Sequence, residues 1–151
     1  MAKWCIPKGS NDIECPVPRN GINELYPNIK TYRIFKVKEH MNYNNKKFRT
    51  VQNSDNGETS GETIFEYRQK DNILTSDYEG GEIVKGHLIG LVDKEGNINM
   101  RYHQINIKGE LMTGVCNSRP EILSNGKIRL YETWKWTSGN KSSGKSVIEE
   151  I

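Results

Sequence analysis

The chain lacks the two hydrophobic patterns that build most helical and membrane-spanning proteins. No apolar run approaches the ~20 residues that cross a bilayer as a helix. Nowhere do apolar residues hold the i, i+3, i+4, i+7 spacing through three turns, so helix content is expected to be low. Hydrophobic residues make up only 34% of the 151 positions. That is thin for a layered core and suits a single sheet closed on itself. An apolar signal-peptide core is missing from the first residues, which sets the expectation of a cytoplasmic protein. Cysteine is scarce too: Cys5, Cys15 and Cys116 form no CxxC pair, so reduced thiols are expected. Zinc held by Cys5, Cys15 and a histidine would match no zinc-module spacing.

An excess of one charge is absent from most of the chain. Residues 1–40 hold 7 Lys/Arg and 4 Asp/Glu, whereas residues 41–151 hold 15 of each. The larger part therefore has no electrostatic footprint for nucleic acid. "NYNNKKFR" (42–49) is a small basic patch that reads as solvated surface. "GGEIVKG" (80–86) carries glycines but no strand-to-helix transition to cradle a phosphate. No cofactor and no metal are expected.

What the chain does contain falls into two unequal parts. Residues 1–40 are rich in breakers (Pro7, Gly9, Pro16, Pro18, Gly21, Pro27) and read as an irregular extension. One short strand is expected there, "TYRIFKV" (31–37). Residues 41–151 read as one domain of strand-like runs separated by turn signals. The runs are "KKFRTVQ", "TIFEYRQ", "ILTSDY", "EIVKGHLIGLV", "INMRYHQINI", "ELMTGVC", "IRLYETWKW" and "VIEEI". Short connections force antiparallel neighbours. Eight such strands avoid exposed edges by closing into an up-and-down barrel, wide enough inside for side chains or one small ligand. A two-sheet sandwich is the alternative, and the regular hairpins favour the barrel.

Strand alternation assigns faces. The expected inward sets are Thr63, Phe65, Tyr67 and Gln69; Leu74, Ser76 and Tyr78; Val84, Gly86, Leu88, Gly90 and Val92; Ile98, Met100, Tyr102, Gln104 and Asn106; and Ile128, Leu130, Glu132, Trp134 and Trp136. Gly86 and Gly90 are read first as points of barrel curvature and second as room for a ligand. Glu132 stands out as a carboxylate in an apolar set. Buried, it must find donors. Tyr102, Tyr67 or Gln104 could supply them, or Arg101 or Arg129 at a barrel end. Otherwise a small ligand would fill that place, with Tyr67, Tyr78, Tyr102, Trp134 and Trp136 as walls and Glu132 and Gln104 orienting it.

Other chemistry finds little support. His87 and His103 fall on outward faces, and with Cys116 they match no nucleophile signature. Glu79 or Glu121 could partner Glu132 in acid–base work, but spacing alone does not bring them together.

Four segments carry a resemblance: "MNYNNKKFRTVQNSDNGE", "YEGGEIVKGHLIGLVDKEGNINMRYHQINIKGELMTG", C-x-S-x-P-E (Cys116 to Glu121) and "NGKIRLYETWKWTSG". Through them, residues 41–151 resemble small bacterial proteins of Bacillus-type genomes that often carry the label N-acetylglutamate synthase. Acetyltransferases of that class need a βα core with helix-start amides to hold pyrophosphate, and this sequence offers none. The resemblance instead implies an avidin-like or lipocalin-like barrel, and it carries over no catalytic residue. Residues 1–40 lie outside it, as a natural extension or an upstream read-through. The expectation is a small-molecule binding module. Its alternatives are a filled barrel that binds a protein through the basic leader, or an isomerase- or cyclase-type enzyme using Glu132. Oligomeric state is not legible.

Overall fold

The computed structural model describes residues 41–151, together with an antiparallel pairing of β1 (Ile6–Pro7) with β2 (Ile13–Glu14). The expected strand at 31–37, and Cys5 and Cys15, lie outside the described residues. Eight further strands follow: β3 (Lys46–Asn53), β4 (Ile64–Lys70), β5 (Ile73–Gly80), β6 (Ile83–Val92), β7 (Ile98–Asn106), β8 (Leu111–Ile122), β9 (Ile128–Trp136) and β10 (Ser143–Glu150). Each pairs antiparallel with the next, and β10 pairs with β3 to close the barrel. No helix occurs among the described residues, in line with the missing 3.6-residue period. The eight-stranded up-and-down barrel expected from the pattern is the one found.

Several details differ from the sequence reading. A bulge between Ile83 and Lys85 in the β6–β7 ladder switches the alternation at the start of β6. Ile83 therefore points inward at 3% exposure, while Val84, expected inside, is 56% exposed. β8 runs on through Pro120, which is tolerated because β7 ends its pairing at Ser118. Pro120 then has a ladder partner on one side only, Leu130 of β9. β10 begins at Ser143, inside a stretch that reads as a Gly/Ser loop.

The up-and-down path gathers the β4–β5, β6–β7 and β8–β9 turns at one end of the barrel. That end is packed solid. Tyr43, Phe48, Tyr67, Leu74, Leu130 and Ile148 are at most 1% exposed, and the Tyr67 ring lies 4.7 Å from Phe48 and 6.1 Å from Tyr43. Tyr43 acts as the stopper. Its hydroxyl donates to the Gly96 carbonyl in the β6–β7 turn (2.5 Å), and its amide donates to the Gln69 side chain (2.8 Å).

Towards the other end the wall repeats one device: an aromatic ring laid over a glycine directly across the ladder. Tyr78 pairs with Gly86, Tyr102 with Gly114, and Trp134 with Gly144. A Cβ on those glycines would meet the rings at 2.2, 2.2 and 2.4 Å. Gly90 likewise faces Met100, whose Cβ would be 2.8 Å away. These glycines make room for the protein's own side chains, so neither curvature nor ligand space is needed to explain Gly86 and Gly90. Gly114→Ala should therefore lower stability by about 1–3 kcal/mol through overpacking. Tyr102→Leu should recover much of that loss in the double variant, measured by urea denaturation. Additive losses would show that the ring and the glycine are not coupled.

Candidate functional site

The interior of the second end is hollow. A cavity of about 50 Å³ lies beneath the β3–β4 loop, lined by Phe65, Tyr78, Leu88, Met100, Tyr102, Gln104, Cys116, Glu132, Trp134, Trp136 and Ser146, with Asn53, Gly57, Glu58 and Thr59 from above. That is room for several waters or one small molecule. Six of the seven residues expected to form a site face this space: Tyr78, Tyr102, Gln104, Glu132, Trp134 and Trp136. Tyr67 does not. It lies in the packed half, and its hydroxyl is buried with no hydrogen-bond partner among the described residues.

Glu132 sits at mid-strand in β9 between two serines placed directly across the ladder, Ser118 on β8 and Ser146 on β10. Each donates to one carboxylate oxygen, Ser118 at 3.2 Å and Ser146 at 2.7 Å. The donors expected from the pattern are elsewhere. Tyr78 donates to Gln104 Oε1 at 2.8 Å, Gln104 Nε2 donates to Glu58, and Arg129 pairs outside with Glu149 and Glu121. The serines escaped notice because Ser146 lies in an apparent loop and Ser118 in a stretch without clear alternation. Only the register reveals that they flank Glu132. Burial raises the Glu132 carboxyl above its ordinary value, and the two serine hydrogen bonds pull partly against that. Burial, with Glu132 nearby as a second cause, also raises the Cys116 thiol well above its ordinary value, which leaves it a protonated, inert group.

A loop that reads only as turn-rich sequence, "NSDNGETSGE" (53–62), closes the top. Glu58 in this loop accepts from Gln104 Nε2 at 2.5 Å and from Asn106 Nδ2 at 2.9 Å. The two tryptophans reach up to the same segment. Trp134 Nε1 donates to Asn53 Oδ1 and Trp136 Nε1 to the Asn56 carbonyl, both at 3.3 Å. Asn56 in turn donates to the Ser143 carbonyl at 3.1 Å. The loop is thus held by the same side chains that wall the cavity.

The other candidates do not converge on it. Glu79 faces Lys85 on the outer surface and Glu121 faces Arg129. His87 and His103 are cross-strand neighbours with rings 5.3 Å apart, on the outer face. Among the described residues, no cluster of three or more His, Cys, Asp or Glu is arranged to hold a metal, and no helix is long and apolar enough to cross a membrane.

An eight-stranded antiparallel barrel, packed at one end and hollow at the other, belongs to the small barrels whose interior has room for a single small ligand. The chain is a member of the avidin-like protein family, whose family model matches residues 41–151. No curated protein and no solved structure matches the chain.

The Glu132 environment sets a pH signature. Between the ordinary glutamate value and the raised one, the folded protein holds a proton that the unfolded chain has released. Stability therefore falls as pH rises through that window, and the loss persists above it. Glu132→Gln keeps the shape without the charge, and its amide can accept from one serine while donating to the other. Relative to wild type, the variant should gain stability between pH 4 and pH 8 in urea denaturation. Parallel pH curves for the two proteins would contradict the assignment.

Proposed function

We propose that residues 41–151 form a small-molecule binding module whose ligand occupies the cavity beneath the β3–β4 loop. The observation that carries this reading is the contrast between the two ends of one barrel. The same alternation that packs one half to near-zero exposure leaves a lined space in the other, roofed by a loop with polar anchors. Tyr78, Tyr102, Trp134 and Trp136 supply walls, while Glu132 and Gln104 fix orientation, the usual division of labour in small-ligand sites. Tyr67 supports the floor from below without reaching the ligand.

Binding is favoured over turnover. Glu132 is held by two serine hydroxyls, and His87, His103, Glu79 and Glu121 all lie on the outer face. Residues 1–40 are assigned as an appended segment outside the binding domain, supported by a family match that begins at residue 41. We place the protein in the bacterial cytoplasm, a reducing setting that suits the free, buried Cys116.

With two of three tryptophans in the cavity wall, bound metabolite should report directly. A library of small metabolites should contain at least one member that shifts tryptophan fluorescence and raises the melting temperature. Leu88→Phe, which fills the cavity, should erase both responses while the protein still unfolds cooperatively. A library without responders, or equal binding by the filled variant, would overturn the proposal.

A further inference from the structure

The hydrogen-bonding inventory of the cavity is lopsided. Its donors are mostly spent on protein acceptors: Tyr78 on Gln104, Gln104 on Glu58, Ser118 and Ser146 on Glu132, and the two indole N–H groups on Asn53 and Asn56. Among the described residues, the Tyr102 and Thr59 hydroxyls and the second N–H of Gln104 are the donors left over. The acceptors are not spent. A carboxylate offers about four lone-pair sites, and Glu132 uses two of them. Glu58 brings a second carboxylate to the roof. Among the described residues, no Lys, Arg or His lines the space. An anionic guest would meet two carboxylates and only a few neutral donors, and a purely apolar guest would leave the open acceptor sites of Glu132 without a donor.

The walls add a second, independent feature. Trp134 and Trp136 meet edge to face with ring centroids 5.7 Å apart, and Tyr102 meets Trp136 in the same way at 5.4 Å. Rings set at steep angles around a small space present more than one π face to its contents. A cation within about 6 Å of such faces is attracted by the ring quadrupoles, most strongly by tryptophan and most of all where water is excluded.

We infer that the cavity selects a small organic ammonium ion, its N–H groups donating to Glu132 and its alkyl body lying against Trp134, Trp136 and Tyr102. This rests on the small-molecule reading proposed above and specifies the ligand's charge and donor character. A cavity of about 50 Å³ calls for a compact amine of few carbons. Seating the ammonium supplies Glu132 with a counter-charge that the described residues of the cavity wall do not provide.

The test uses the full chain and three probes of matched size: n-butylammonium, 1-butanol and butyrate, titrated at pH 7 by calorimetry and tryptophan fluorescence. The ammonium should bind about ten- to a hundredfold more tightly than the alcohol, the range that a hydrogen bond to a charged group supplies, and butyrate should bind more weakly still. Glu132→Gln should bring the ammonium down to the level of the alcohol measured on the same variant. Equal or tighter binding of the alcohol or of butyrate would overturn the cation assignment and leave the cavity as a ligand site. An undiminished ammonium preference in the Gln variant would also overturn it. No binding by any of the three would overturn the cation assignment and count against the pocket itself.

Discussion

Ring closure is the constraint on which the rest of this structure depends. Once eight antiparallel strands join β10 to β3, every second side chain between the bulges is committed to one shared interior. No side chain can be placed without regard to those opposite. A carboxylate on an inward position must then be answered by its ladder neighbours, and Glu132 has a serine on each side. A large ring must find its room across the ladder, and Tyr78, Tyr102 and Trp134 each find a glycine there. Charge, volume and register are thus settled together by the closure.

The same closure explains why the two ends differ. At the packed end the chain enters the barrel through Tyr43, whose ring and hydrogen bonds stop the opening beneath the short β6–β7 turn. At the other end the long β3–β4 connection reaches across as a roof, touching the wall through Glu58, Asn53 and Asn56 but not filling the space beneath. An interior with one stoppered end and one roofed end needs only local movement of the roof to admit a guest. The contacts holding that roof are a few polar bonds, worth about 0.5–1.5 kcal/mol net between neutral groups and about 1.5–3 where Glu58 accepts, whereas the other end would have to expose a packed aromatic cluster, so the roof is the less costly end to open.

Much of this was legible in the sequence, for a definite reason. Alternation with period two is a strong signal where one face is buried, and it placed Phe65, Tyr78, Leu88, Met100, Gln104 and both wall tryptophans inside. The same signal failed at Val84, because a bulge adds a residue that no composition marks. It was silent about Ser118, Ser146 and Glu58, and those three decide the polar character of the cavity. The two serines matter through the residue across the ladder, and register is a non-local property. Glu58 matters through the fold of a ten-residue loop whose turn residues say only that the chain bends. Gly86 and Gly90 were noticed but misread, since the Tyr78 ring over the first and the Met100 side chain over the second come from neighbouring strands.

The central claim is that a small guest enters the hollow half and lies against its aromatic wall. Intermolecular nuclear Overhauser effects from n-butylammonium to the isotope-labelled protein test that most directly. The account predicts cross-peaks from the alkyl chain to the indole protons of Trp134 and Trp136 and to the ring of Tyr102. Cross-peaks confined to outer-face side chains such as Ile89 and Leu91, with the indoles untouched, would contradict it.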